Sequence, residues 1–328
     1  MRYRIVPLIF VIIFSGCSKP EQSQAEFLLS TVCTITLFDK GTAQVYRDIF
    51  SRIREIESRM SAYLEGSDVV RINKAAGLEP VKVHPEVFMV IEEALRYAEL
   101  SDGAFDPAVG PLVKLWNINS DNPRVPTPEE IEKALPLVNW RDIELDRGAG
   151  SVFLKRAGMA IDLGGIAKGY AADEAAAIIR KAGIPRAIIN LGGNILLVGE
   201  KKDKTPWKVG IQTPFEIQGN YIGVVKTGEN SVVTSGVYER YFEKDGVKYH
   251  HILSPADGAP VRNELLSITI VTGVSLAADA LSTAVFVLGY EKGRALVESL
   301  ENTGAIFVFS DKSVRVCGGV DFTQKANY

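Results

Sequence analysis

The chain has 328 residues, 46% hydrophobic and 23% charged, enough apolar surface for one large domain or two smaller ones and too much for a disordered chain. Its 37 basic and 40 acidic side chains leave a formal charge of −3 with no long basic run, which removes the electrostatic basis for a nucleic-acid role. Three cysteines, Cys17, Cys33 and Cys317, are too few and too scattered for a zinc cluster or a disulfide scaffold.

The start of the chain is patterned differently from the rest. Met1-Arg2-Tyr3-Arg4 is a basic opening, and residues 5–14 form an apolar run of ten, too short for a stable bilayer span. The run ends at Phe14-Ser15-Gly16-Cys17, which resembles the lipobox of bacterial lipoproteins. That resemblance implies a signal over residues 1–17 and a lipid on Cys17. The polar residues 18–26 read as a flexible tether, and residues 27–328 as the body. The expected location is extracytoplasmic, anchored by lipid to a bacterial membrane, on the periplasmic side of the inner membrane in a Gram-negative cell.

Residues 27–38 are rich in β-branched and apolar side chains and read as a strand with Cys33 inside it. Val45, Ile49, Ile53, Ile56 and Met60 recur at helical spacing, and Tyr63 follows just past that helix end. A second helix spans 85–100 and leads into a structured loop over 101–112 that retains Phe105 and Val109. Thr127-Pro128-Glu129-Glu130 has the order of a capping box. Paired short strands are predicted over 143–154.

Residues 161–170 (Ile-Asp-Leu-Gly-Gly-Ile-Ala-Lys-Gly-Tyr) read as a strand end, a glycine turn and the opening of a helix that runs to Gly183. Such a turn suits a phosphate, although it matches neither the dinucleotide nor the P-loop pattern, so taken in isolation an ordinary strand-to-helix turn is the preferred reading. Beyond it come strands at 187–191, 207–212, 221–226 and 232–238, a hairpin through Asp245-Gly246, and a core strand at 265–271. Helices follow over 276–288 and 292–300, and a strand over 305–309 closes the order. Hairpin-like strands mixed with separated helices indicate an α+β fold, with no linker dividing the body.

Asp279 and Thr283, four residues apart, share one helix face, where hard oxygen donors suit Mg²⁺. The same pair also fits a carboxylate favouring a helix N-terminus and a hydroxyl bonded back to a carbonyl. Of the adjacent His250 and His251, alternation on a strand sends only one toward a site, and His251 is the general-base candidate beside a structural alternative.

These pieces, with Met60-Ser61-Ala62-Tyr63, Asn190-Leu191-Gly192-Gly193, Thr234-Ser235-Gly236, His250-His251-Ile252-Leu253-Ser254-Pro255 and Ala278-Asp279-Ala280-Leu281-Ser282-Thr283, resemble in order the ApbE family of FAD:protein FMN transferases. The resemblance implies a single large domain of mixed, largely antiparallel sheets with packed helices. It also implies Mg²⁺-dependent transfer of FMN from FAD to a threonine or serine of an acceptor flavoprotein, such as a subunit of a membrane redox complex, with release of AMP. Carried over residue by residue, it places FAD against Leu29, Met60, Tyr63, Ala104, Phe105, Asp106, Gly164, Lys168, Ser235 and Leu253. Mg²⁺ falls to Ala167, Asp279, Ser282 and Thr283, and catalysis to His251 and Asp279. Leu29-Ser30-Thr31 departs from the family's Met-Gly-Thr, and Val237 stands where an acidic or polar residue is common. Two other functions stay open, an FAD pyrophosphatase giving FMN and AMP and a non-catalytic FAD-binding lipoprotein.

Overall fold

The computed structural model describes residues 22–39, 41–214 and 220–325. The signal read over 1–17, with Cys17, and the first part of the tether lie outside the described residues. Gln22–Leu28 is strand β1, and Thr31–Leu37 is β2. The tether expected through residue 26 is therefore shorter: its last five residues already pair with β2, from Gln22↔Leu37 to Glu26↔Cys33. The single strand expected over 27–38 is likewise the corner of a hairpin. Leu29 and Ser30 both take positive φ (52° and 56°), as a tight two-residue turn requires.

Helix α1 (Ala43–Met60) starts at Thr42, whose hydroxyl accepts from the Val45 amide, and buries Tyr46, Ile49, Phe50, Ile53, Ile56 and Met60. At about 1.5–3 kcal/mol for each large apolar side chain, that stripe accounts for its docking. Helix α2 (Asp68–Lys74), strand β3 (Val81–Lys82) and helix α3 (Pro85–Leu100) follow. The loop expected over 101–112 gives way after a 3₁₀ turn to α4 (Gly110–Trp116), and α5 (Pro128–Ala134) carries both hydrogen bonds of the expected capping box. Strands β4 (Ile143–Asp146) and β5 (Ser151–Leu154) precede α6 (Ala167–Lys181).

Strands β6 (Ala187–Leu191), β7 (Asn194–Val198), β8 (Trp207–Gln212), β9 (Tyr221–Thr227) and β10 (Ser231–Gly236) come next. They lead to the hairpin of β11 (Tyr241–Lys244) and β12 (Val247–His250), and then to β13 (Leu265–Thr272). The two helices expected after residue 275 are one element, α7 (Ser275–Glu298), kinked at Gly289, where φ 74° and ψ −176° exclude most side chains. After β14 (Gly304–Phe309), the chain continues into β15 (Val314–Cys317) and β16 (Asp321–Gln324), which alternation did not reveal.

An eight-stranded sheet in the order β1-β2-β6-β7-β10-β13-β14-β15 organises the α+β body, and every strand pairing is antiparallel. One face, with Ile35, Ile189 and Leu191, packs on α1, α6 and α7. Part of the other face, with Leu197, Val232 and Ile306, packs on Val209 and Ile211 of a second sheet, β16-β9-β8. A smaller cluster of Leu112, Trp116 and Leu253 ties α4 to the loop after β12, where the Trp116 indole donates to the Gly258 carbonyl at 2.7 Å. The uncovered stretch between these bodies is a cavity.

Candidate functional site

The cavity measures about 810 Å³ and draws its walls from the glycine turn before α6, the first turns of α6 and α7, β8, β10 and the segment after β12. Helices α6 and α7 meet there in reciprocal fashion. Neither has a capping side chain of its own at the N-terminus. Instead Asp173 of α6 accepts from the amides of Ser275 (3.0 Å) and Leu276 (2.9 Å), while Asp279 of α7 accepts from the Gly169 amide at 2.9 Å. Each helix thus satisfies orphan donors of the other. The crossing is close because residue 169 is glycine: a Cβ there would fall 2.3 Å from the Ser275 carbonyl oxygen.

This arrangement fixes the charged end of the cavity. Asp279, 3% exposed, takes the Lys168 ammonium on Oδ1 at 3.3 Å, and Lys168 also donates to the Gly164 carbonyl at 3.1 Å. Thr283, one turn on from Asp279, reaches the same wall. Asp162 and Glu239 add two carboxylates and Arg240 a second cation. Burial pushes the Asp162 carboxyl above the usual carboxylate range, against the pull of the Gly164 amide and the Lys168 charge. Glu239 opens to the cavity but is enclosed by protein on its other sides. Desolvation and the Asp279 charge push it up to about 7, with Lys168 and Arg240 opposing.

The two histidines separate as strand alternation requires. His250 is committed: its Nε2 donates to the Val261 carbonyl (2.8 Å), and its Nδ1 accepts from the Ile252 amide (3.3 Å). His251 uses Nδ1–H on the Arg240 carbonyl (3.2 Å), which leaves Nε2 with its lone pair in a ring that lines the cavity. Burial, then the Arg240 charge, pushes His251 down to about 3, so the ring is neutral at ordinary pH.

The structure gathers His251, Asp279, Ala104, Phe105, Asp106, Gly164, Lys168, Ser235, Leu253 and Thr283 on this one cavity, from segments far apart in the chain. Other expected positions fall elsewhere. Met60 ends α1 and is only 3% exposed, packed in the core. Leu29 sits in the hairpin turn, its amide bonded to Glu57, and does not line the cavity. Tyr63 is 70% exposed beyond the wall, and crowding on one side and the Asp162 charge push its phenol up to about 12. Ser282 is fully buried behind the wall, donating to the Asp279 carbonyl and pairing at 2.8 Å with Ser235, which itself lines the cavity. Ala167 opens α6 outside the lining.

Two expected roles change in kind. Asp106 spends both carboxylate oxygens on the amides of Ala108 (2.7 Å) and Trp140 (3.1 Å), so it shapes the wall rather than offering a free acceptor. The Gly164 amide is likewise taken by Asp162 at 2.7 Å, and those of Ile166 and Ala167 by the Leu163 carbonyl. The phosphate-cradle reading of the turn therefore loses three of its amides. Sequence reasoning passed over Glu239, Arg240 and Asp173. The adjacent charges of Glu239 and Arg240, between two strands, were the available signal, whereas the pairing of Asp173 with α7 has no local one.

Residues 29–307 match the ApbE family. The chain belongs to the ApbE family. A relative in Treponema pallidum, named FAD:protein FMN transferase, is 39% identical over 317 residues, covering 92% of this chain and 88% of that protein. A protein of the same name in Klebsiella pneumoniae is also 39% identical, over 89% of this chain and 90% of its own length. The ApbE fold is matched as well. A crystal structure of an ApbE protein from Thermotoga maritima superposes with a TM-score of 0.83 at 35% identity, over 90% of this chain and 96% of that one. The flavin transferase ApbE of Vibrio cholerae gives 0.80 at 27% identity, over 91% and 97%.

Proposed function

We propose that this chain transfers FMN from FAD to a threonine or serine hydroxyl of an acceptor flavoprotein. A bond forms between the acceptor oxygen and the FMN phosphorus, the bond from that phosphorus to the bridging oxygen breaks, and AMP leaves with that oxygen. The observation that carries the reading is the free Nε2 lone pair of His251 in the same cavity as the Lys168–Asp279 pair. His251 accepts the proton of the acceptor hydroxyl, and the Arg240 carbonyl holds the ring in the tautomer that can do so. Lys168 and Arg240, both in the cavity wall, offset diphosphate charge.

The donors present fit a hard divalent cation. Asp279 supplies a buried carboxylate, its Oδ2 held by the Gly169 amide and its Oδ1 facing only the long 3.3 Å contact of Lys168, and Thr283 a hydroxyl on the same wall, donor types suited to Mg²⁺. Among the described residues no three His, Cys, Asp or Glu side chains converge as a metal cage, so an ion held here would need its remaining ligands from water and phosphate. Magnesium bound there would act as a Lewis acid on the diphosphate. Three carboxylates, Asp162, Glu239 and Asp279, beside an anionic substrate supply the electrostatic reason for it.

The proposal includes the lipid on Cys17, an extracytoplasmic membrane face, and acceptors among membrane redox complexes. Incubating the protein with FAD, Mg²⁺ and such an acceptor should give a fluorescent acceptor band and one AMP per flavin transferred. AMP and free FMN with no labelled acceptor would replace transfer by hydrolysis; FAD binding with no AMP would reduce the protein to a flavin carrier.

A further inference from the structure

We infer that the end of the body opposite the cavity rests on an anionic lipid surface, so that the cavity opens away from the membrane. The inference rests in part on the lipid at Cys17 proposed above. Strand register fixes which end that is. Gln22 pairs with Leu37, Leu37 with Ala187, and Ala187 with Val198, so the start of β1, the end of β2, the start of β6 and the end of β7 stand side by side. The cavity takes its residues from the other ends of the same strands: Thr31 and Val32 open β2, and Gly192 and Gly193 form the turn between β6 and β7. From Thr31 to Leu37 is about 20 Å of strand at roughly 3.3 Å per residue. Gln22 is the fifth residue after Cys17, which keeps a lipid on Cys17 within about 18 Å of the end away from the cavity.

The surface at that end is basic. Lys201, Lys202 and Lys204 lie in the loop that leaves β7, and Lys208, at the root of β8, stands directly opposite Lys226 of β9. Like charges facing each other across a strand pair repel, and an anion lying over them offsets that repulsion. Among the described residues, Lys202, Lys204, Lys208 and Lys226 form no ion pair. The neighbouring arginines are already neutralised, Arg186 by Asp39 and Arg180 by Glu229. Three carboxylates, Glu200, Asp203 and Asp321, oppose the five lysines, and Asp203 is turned onto the Thr205 amide (3.0 Å) and hydroxyl (2.7 Å).

Beside the loop, an open pocket of about 320 Å³ is walled by Phe38, Trp207, Arg186, Lys201, Lys202 and Asp203, with the two aromatic rings 5.5 Å apart. Phe38 directly follows Leu37, the residue paired with Gln22, so the segment leading back to Cys17 leaves the body next to this pocket. That adjacency names the occupant. Aromatic rings suit the boundary of a bilayer and ammonium groups suit its phosphates, and the chain's own lipid would bring that boundary here. The consequence for the reaction is one of height: an acceptor hydroxyl meets the cavity about 20 Å above the headgroups, on a domain that projects from the membrane.

The test uses the full acylated chain on vesicles of phosphatidylglycerol and phosphatidylethanolamine, with phosphatidylcholine vesicles as the uncharged control. Amide exchange over residues 199–208 should slow at least fivefold on the anionic vesicles and not on the control, while exchange over 31–34 and 190–194 stays unchanged. Raising salt to about 1 M, where the Debye length is about 3 Å, should abolish the protection while the protein still sediments with the vesicles. Lys202→Glu/Lys204→Glu, at exposed positions, should do the same at low salt, with kcat toward a soluble acceptor unchanged. Equal protection on both kinds of vesicle, protection at 31–34 in place of 199–208, or full protection in the double variant would overturn the inference, as would no protection in a wild type that mass spectrometry shows to be acylated. Wild-type protein that carries no lipid yet keeps the charge-dependent protection would overturn the anchor alone, and loss of both would overturn both.

Discussion

Asp173→Ala tests whether the exchange of caps between α6 and α7 builds the site. Removing this carboxylate leaves the Ser275 and Leu276 amides, now bonded at 3.0 and 2.9 Å, without an acceptor at a helix end that has no side-chain cap of its own. Loss of an N-cap costs about 0.5–2 kcal/mol, and a hydrogen bond to a charged group contributes about 1.5–3 kcal/mol. About 2–3 kcal/mol is expected here. At roughly 2–4 °C per kcal/mol for a chain of this order, Tm should fall by roughly 4–12 °C. Asp173→Asn, which keeps one oxygen, should lose about half as much. The assay pairs calorimetry with flavin transfer at a temperature where all variants are folded. Asp279 and Thr283 lie within the first three turns of the helix that Asp173 caps, so kcat per folded molecule should drop at least tenfold in Asp173→Ala and recover in part in Asp173→Asn. A lowered Tm with unchanged kcat would refute the idea that the cap positions the site. An unchanged Tm would refute the cap itself.

Gly165→Ala should raise the KM for FAD about tenfold with little loss of Tm, because its Cβ would stand 3.1 Å from Phe105 and 3.3 Å from Thr283 inside the cavity. Ile166→Ala should do the reverse, costing about 2–5 kcal/mol at a fully buried position while sparing kcat/KM, as steady-state kinetics and denaturation on both variants will check. The low pKa of His251 also has a signed consequence. The unfolded ring titrates near 6.5 and the folded one near 3, so the unfolded chain binds the extra proton between them. Stability from this group is complete above pH 6.5 and lost as pH falls toward 3; His251→Asn should flatten the urea midpoint across that window, and an unchanged slope would count against it. Excess EDTA should abolish transfer while leaving FAD binding measurable by fluorescence; full activity after chelation would remove Mg²⁺ from the account.

The legible part of this chain was its local part. The capping box at Thr127, the amphipathic stripe of α1 and the hairpin at Asp245-Gly246 depend on residues a few positions apart, and each formed as its pattern dictates. The spacing of Asp279 and Thr283 likewise brought both to the cavity, and alternation separated His250 from His251. What sequence could not supply depends on distant partners. Residues 22–26 look like a polar tether because they form an edge strand with mostly exposed side chains, and β15 and β16 are similarly short and half exposed. Ser282 shares a helix turn with Asp279, yet its hydroxyl is drawn to Ser235 on β10, a pairing no spacing announces. The Gly164 turn has the composition of a phosphate cradle, but its amide is satisfied by Asp162 two residues away.

The central claim is that His251 takes the proton of an acceptor hydroxyl beside a diphosphate held at the Lys168–Asp279 end of one cavity. Single-turnover transfer from FAD by His251→Asn, with AMP and flavin-labelled acceptor counted together, tests it most directly. The account predicts wild-type affinity for FAD, equal amounts of AMP and labelled acceptor, and a rate lower by about 10²–10⁴-fold, the range for loss of a general base. Transfer by His251→Asn at the wild-type rate would contradict it.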